Sequence, residues 1–187
     1  FDLHQKKVGI IGTGRTGRVI AKILHGFGCR LLGYDIQKNK ELMDKYDLQY
    51  VDLKTLCSSS DIITLHTPLN TATKYLINKE MLDLTKQGVM LINTARGAVI
   101  NTEHVIEALE NGKIGYLGLD VYEREKGIFF YDHSNQKIKD DVLKKLMSYP
   151  NVIITPHQAF ATNEALSNIA DTTFYNIDCW AKNENSK

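Results

Sequence analysis

The segment Val8-Gly9-Ile10-Ile11-Gly12-Thr13-Gly14-Arg15-Thr16-Gly17 constrains this chain more than any other. A short run of strand-forming residues ends on glycines spaced G-x-G-x-x-G, and from Arg15 the apolar period changes. Val19, Ile20, Ile23, Leu24 and Phe27 fall on one face of a 3.6-residue helix, and Gly26 and Gly28 mark its end. Residues 30–34 (RLLGY) then read as a second strand that closes on Asp35. A strand, a glycine turn, a helix and a second strand in that order open a parallel sheet.

Each glycine has a task in that setting. Gly12 allows the tight turn, Gly14 lets the backbone approach a pyrophosphate, and Gly17 lets helix and strand pack closely. The helix N-terminus offers unpaired N–H groups and a partial positive charge to phosphates. Asp35 lies 18 residues beyond Gly17, where a carboxylate would accept hydrogen bonds from ribose hydroxyls and repel a 2′-phosphate. The expected cofactor is therefore NAD rather than NADP. Arg15 suits two readings, a phosphate contact or a solvated side chain on the first helical turn.

The alternation continues along the chain. Residues 53–59 read as a helix capped by Asp52, and 62–65 as a strand leading into His66-Thr67-Pro68. Residues 89–92 form a strand before Asn93-Thr94-Ala95-Arg96-Gly97, and 102–110 a helix with Thr102 as its N-cap. Strands at 114–119 and 152–154 end at Asp120 and at Thr155-Pro156-His157, and a closing helix spans about 163–178. The fold class expected is α/β, a doubly wound parallel sheet of about six strands with helices on both faces. The polar stretch 126–141 is read as a long surface excursion, partly anchored by Phe129, Phe130 and Tyr131.

Composition narrows the partners. The 187 residues carry 23 Lys+Arg against 22 Asp+Glu, a formal charge of +1, which speaks against nucleic acid or an anionic membrane surface. No apolar run reaches the roughly 20 residues that span a bilayer. Three cysteines without C-x-x-C spacing argue against a disulfide scaffold or a zinc module, and the scattered histidines give no metal-ligand spacing. A cytoplasmic setting and a small-molecule substrate are expected.

Four groups stand at or just beyond the carboxyl ends of the later strands: His66-Thr67-Pro68, Arg96, Asp120 with Glu125, and His157. Ligands of doubly wound sheets bind along that edge. Hydride exchange with a 2-oxo acid needs a guanidinium for the carboxylate and a proton donor for the carbonyl oxygen. Arg96 and His157 suit those tasks, and Glu125 would orient the histidine and favour its protonated form. Taken singly, each also suits a structural or solvated place, as does His66 before Pro68, and it is their joint placement that favours chemistry.

The segments VGIIGTGRTG, DIITLHTPLNTATKYLI, GVMLINTARGAVI, GYLGLDVYERE and ITPHQAFAT cover nearly the whole chain. Through them it resembles the cofactor domain of the D-isomer-specific 2-hydroxyacid dehydrogenases, and most of all their fermentative D-lactate branch. The resemblance implies that Arg96 binds substrate, that His157 is the acid/base and that Glu125 is its partner. It also implies that Asp120 lies near the nicotinamide carboxamide and that Thr67 and Pro68 line the cofactor, with His66, Thr94, Ala95 and Thr16 counted among the cofactor-binding residues. Thr16 replaces the usual aliphatic residue, and Lys126 stands where many relatives have proline after the glutamate. Phe160 would lie near the methyl end of the substrate. The implied activity is NAD-dependent reduction of pyruvate or a close 2-oxo acid to the D-2-hydroxy acid.

Members of this family have a second, substrate-binding domain made from both ends of the chain, so residues 1–187 are expected to be the NAD-binding domain alone. That piece should bind NAD with little turnover and pair as a homodimer. An alternative is an NAD-sensing interaction module, like the corepressors that resemble these dehydrogenases.

Overall fold

The computed structural model describes residues 1–135 and 137–185. The chain divides into two units, Phe1–Pro156 and His157–Lys187. In the first, the order is β1 (Lys7–Ile11), α1 (Arg15–Gly26), β2 (Arg30–Tyr34), α2 (Lys40–Tyr46), β3 (Gln49–Tyr50), α3 (Leu53–Ser59) and β4 (Ile62–Leu65). It continues with α4 (Lys79–Leu84), β5 (Val89–Asn93), α5 (Thr102–Glu110), β6 (Ile114–Leu119), α6 (Asp141–Ser148) and β7 (Val152–Ile154). The second unit contains one long helix, α7 (Asn163–Ala181).

All seven strands are parallel, in the order β3-β2-β1-β4-β5-β6-β7. The reversal falls between β1 and β4, as the doubly wound pattern requires. Two apolar cores explain why the strands read as nearly unbroken hydrophobic runs. Val8 and Ile10 pack with Ala21 of α1 and Leu42 of α2, whereas Ile11, Ile63, Leu65 and Leu91 pack with Leu56, Leu82, Val105 and Leu143. Neighbouring strand residues thus point alternately into one core or the other.

The structure corrects four details of the sequence reading. The sheet has seven strands instead of about six, because β3 is only two residues long and has no apolar run of its own. It joins the sheet by pairing with Leu32 and Gly33 of β2. The N-cap of α5 is Asn101, whose side chain accepts from the His104 N–H, while Thr102 is buried and its hydroxyl bonds elsewhere. On α1 the deeply buried positions are Gly17 and Ala21, and Val19, Ile23 and Phe27 are exposed. Small residues seat this helix, because its first turn lies against the strand-end backbone. Of the aromatics in the excursion only Phe129 is buried, Phe130 and Tyr131 being exposed; Gln136 of that stretch lies outside the described residues.

Leu91 is fully buried at the centre of the sheet, whereas Ile153 on β7 is 72% exposed. Leu91→Ala should lower the unfolding free energy by about 2–5 kcal/mol, and Ile153→Ala by less than about 0.5 kcal/mol. Urea denaturation followed by circular dichroism measures both.

Candidate cofactor and active site

The loops that follow β1, β2 and β4 are tied together by the backbone. The Gly12 N–H donates to the Tyr34 carbonyl at 2.9 Å, and the His66 N–H donates to the Ile11 carbonyl at 2.7 Å. Gly12 has φ +91°, and a Cβ there would lie 2.7 Å from the His66 backbone. A Cβ on Gly17 would lie 1.9 Å from the Gly12 carbonyl oxygen. The fold itself therefore demands glycine at both positions. Gly14 differs, since a Cβ there would meet nothing within 4 Å. Space is open there, as it is at Gly26, Gly88 and Gly127, and at Gly14 that space is part of a cavity.

Gly14 is also the N-cap of α1 and offers no side-chain acceptor, and the first turn of this helix carries no acidic residue. Among the described residues the other six α-helices each have a capping side chain: Asn39, Asp52, Asn78, Asn101, Asp140 and Thr162. The N–H groups and positive dipole end of α1 are thus without a side-chain cap, the condition that anion sites at helix starts share.

Two cavities meet at this point. One of about 250 Å³ is bounded by Gly12, Gly14, Asp35, His66, Thr67 and Pro68. Another of about 570 Å³ runs from Gly14, Arg15 and Thr16 past His66, Thr67 and Pro68 to Thr94, Ala95 and Arg96. The structure therefore gathers nine of the residues expected at the cofactor and active site along one sheet edge, with Asp35 and Gly12 in the adjoining cavity. Gly17 is buried beneath them as packing.

The polar groups here fit a dinucleotide. The Thr67 hydroxyl oxygen is buried and has no hydrogen-bond partner among the described residues, a costly state that a polar ligand at this wall would relieve. Asp35 accepts from the Thr13 N–H at 2.6 Å and from the Gln37 N–H at 3.0 Å. Burial alone would raise its pKa, but these backbone bonds and the Thr13 hydroxyl outweigh it and hold the carboxyl below its usual range. His66 shares a 2.9 Å hydrogen bond between Nε2 and the Thr64 hydroxyl, and burial pulls its pKa down to about 4. It is a neutral wall of the cavity.

Arg96 sits in extended backbone after β5, its side chain exposed and its Nη1 donating to the Ala95 carbonyl at 2.6 Å. Asn93, which sequence reasoning passed over, positions this loop. Fully buried, it donates from Nδ2 to the Arg96 carbonyl at 3.0 Å and accepts at Oδ1 from the Ala95 N–H at 3.0 Å. Its own carbonyl accepts from the Asp120 N–H, joining the β5 and β6 ends. A buried amide closing an apolar strand was the available signal.

Asp120 and Glu125 lie outside both cavity linings. Asp120 is buried at the end of β6 and accepts from the Thr155 hydroxyl at 2.5 Å, which anchors the chain just before His157. Glu125 accepts from the Tyr122 N–H at 3.1 Å, and its carbonyl accepts from Ile128 and Phe129. The neighbouring Glu123, also unforeseen, takes hydrogen bonds from the Tyr75 and Thr102 hydroxyls. His157 and Phe160 belong to the second unit, where His157 has φ +52°, an uncommon value for a residue other than glycine, and Phe160 is exposed. The three cysteines are buried and free, with burial pushing the Cys57 thiol up to about 12, so that it is inert.

A parallel doubly wound sheet with a bare helix N-terminus and an acid at the end of the second strand defines a dinucleotide-binding domain of the Rossmann class. Comparison with known proteins makes this specific. Residues 1–159 match the family described as D-isomer specific 2-hydroxyacid dehydrogenase, NAD binding domain, and the chain belongs to that family. A D-lactate dehydrogenase of Curvularia clavata is 48% identical over 180 residues, covering 96% of this chain and 51% of that protein. The solved structure described as the pyruvate reductase of Chlamydomonas reinhardtii superposes with a TM-score of 0.94 at 44% identity, over 99% of this chain and 56% of that one. The D-lactate dehydrogenase with NAD+ from Lactobacillus jensenii gives 0.92 at 35% identity, over 100% of this chain and 56% of that one. The chain spans about half the length of these relatives.

The depressed pKa of His66 makes a checkable demand. Its folded value, about 4, lies below the ordinary 6.5, so the unfolded chain takes up this proton first. The His66 contribution is whole above about pH 6.5 and is lost as the pH falls toward about 4, a change on the order of 3 kcal/mol. Urea melts across that range should show the slope, and His66→Asn should flatten it.

Proposed function

We propose that this chain forms the cofactor half of an NAD-dependent D-2-hydroxyacid dehydrogenase of the D-lactate type, whose substrate is pyruvate or a close 2-oxo acid. The observation that carries the reading is the continuous cavity from the bare Gly14 turn to Arg96. It puts a cationic fork at the far end of a dinucleotide-sized cleft. Relatives named for D-lactate dehydrogenase and pyruvate reductase favour the same substrate class.

Gly14 and the α1 N-terminus would hold the pyrophosphate, Asp35 the adenosine ribose, and His66, Thr67, Pro68, Thr94 and Ala95 the path between them and the reactive ring. Asp120 would stand near the carboxamide. NAD, when bound, supplies or accepts the hydride. Arg96 binds the substrate carboxylate through paired N–H donors and polarises the adjacent carbonyl. His157 gives its proton to the carbonyl oxygen during reduction and takes it back during oxidation, with Glu125 steadying the protonated ring. Phe160 favours a small side chain at the substrate's methyl end.

The Arg96 guanidinium stands in solvent, where it holds a carboxylate weakly. The 187 residues alone should therefore bind NADH but reduce 2-oxo acids slowly. Assembly as a homodimer through this domain and a cytoplasmic location belong to the same proposal. In the described residues no helix is long and apolar enough to cross a membrane.

Calorimetric titration with NADH followed by an absorbance assay with a panel of 2-oxo acids tests the reading. NADH should bind, pyruvate should be reduced to D-lactate, and Arg96→Gln should raise KM by at least about tenfold, the loss of one charge-assisted contact. His157→Ala should abolish turnover; undiminished turnover would refute its role. Cofactor binding with no turnover of any 2-oxo acid, even at the length of the relatives, would favour the sensing module instead.

A further inference from the structure

Strand β3, the shortest in the sheet, brings Tyr50 back to the glycine turn. Its register partner is Gly33 on β2, and a Cβ on Gly33 would sit 3.2 Å from the Tyr50 ring. The Tyr50 hydroxyl is 2.8 Å from the Thr13 hydroxyl and accepts from the Asn39 N–H at 2.9 Å. The Thr13 hydroxyl in turn donates to Asp35 Oδ2 at 3.1 Å. Each hydroxyl has one proton, so the direction of the chain is settled. Asn39 N–H donates to Tyr50, Tyr50 donates to Thr13, and Thr13 donates to Asp35. Hydrogen bonds aligned head to tail strengthen one another. The Asn39 end is itself held, since its side chain caps α2 by accepting from the Leu42 N–H at 3.2 Å.

The chain determines which part of the carboxylate faces the cofactor. Oδ2 already accepts two hydrogen bonds, from the N–H and the hydroxyl of Thr13. Oδ1 accepts one, from the Gln37 N–H. A carboxylate has about four acceptor positions, so Oδ1 keeps about one for a ligand hydroxyl. A carboxylate pinned on three sides also cannot swing away from an incoming phosphate.

We propose that Thr13 and Tyr50 are positioning residues for cofactor choice, acting through Asp35 to fix a single acceptor and an immovable negative charge beside the adenosine 2′-position. The proposal rests on the reading of Asp35 as the ribose-binding acid and extends it to Thr13, between the first two glycines of the fingerprint, and to Tyr50, outside it. Tyr50 touches no cofactor in this account; it acts two hydrogen bonds away. With the chain broken, the Thr13 hydroxyl becomes a weaker or missing donor to Oδ2, so Asp35 is held less firmly, binds the ribose less well and repels the phosphate less. NADH affinity falls and NADPH affinity rises.

The test is calorimetric titration of the 187-residue chain with NADH and with NADPH in wild type, Tyr50→Phe, Thr13→Val and Thr13→Ser. Wild type should prefer NADH. Tyr50→Phe should cut the ratio of the two affinities about threefold to tenfold, the effect of one lost hydrogen bond in a polarised chain. Thr13→Val should do the same, and Thr13→Ser, which keeps the hydroxyl, should retain the wild-type ratio. In an Asp35→Ala background Tyr50→Phe should change nothing further. Carboxyl NMR of the cofactor-free protein should show Asp35 titrating at higher pH in Tyr50→Phe, a shift that a purely structural role would not produce. An unchanged ratio in Tyr50→Phe, or equal weakening of both cofactors, overturns the proposal. Loss of preference in wild type would instead refute the Asp35 reading on which it stands.

Discussion

Strand β1 is hydrogen-bonded on both sides, to β2 and to β4, and its side chains feed two separate cores. That double pairing organises the molecule. Because the chain leaves β1 toward β2 and reaches β4 only after β3, the loops at the carboxyl ends of β1 and β4 diverge and leave a crevice between them. Gly12 and Gly17 let the backbone turn into that crevice without collision, and Gly14 leaves its floor open. A larger side chain at Gly12 or Gly17 would push apart the elements whose contact creates the site.

Around the crevice, polar groups that touch no expected ligand hold those that do. Asn93 carries the Arg96 loop and links it to Asp120, and Asp120 holds Thr155. Glu123 joins the hydroxyls of Tyr75 and Thr102 beside the turn that bears Glu125. Asn93 and Glu123 each take part in two or more such bonds, which is how buried polar groups avoid destabilising a fold. The electrostatic pattern follows the same division. Negative side chains cap the starts of other helices, and the start of α1 is left positive.

Much of this was legible from local pattern. The alternation of apolar runs and helical stripes located six strands and the helices at 15–26, 53–59 and 102–110, because buried parallel strands and capped helices leave strong periodic traces. The glycines, Asp35 and Arg96 stand out in the sequence, and the structure brings them to adjoining cavities along one sheet edge. Other features lie outside that pattern. β3 is two residues long and joins the sheet by pairing with β2; α2, α4 and α6 do carry local signals, the caps Asn39, Asn78 and Asp140, which the sequence reading did not use. The exposure of Val19, Ile23 and Phe27 depends on how closely α1 approaches the sheet, which helical periodicity does not encode. Asn93, Glu123 and Tyr50 act through partners distant in sequence, so their roles became visible only in three dimensions.

The central claim is that one sheet edge, from the Gly12–Gly17 turn to Arg96, receives the dinucleotide. Amide chemical-shift mapping of the isotopically labelled chain during addition of NADH tests it most directly. The largest shifts should fall on Gly12–Gly17, on His66, Thr67 and their neighbours, and on Thr94–Arg96, with the opposite edge of the sheet, near Lys7 and Arg30, unmoved. Shifts concentrated at that opposite edge, or none at the glycine turn, would contradict the account.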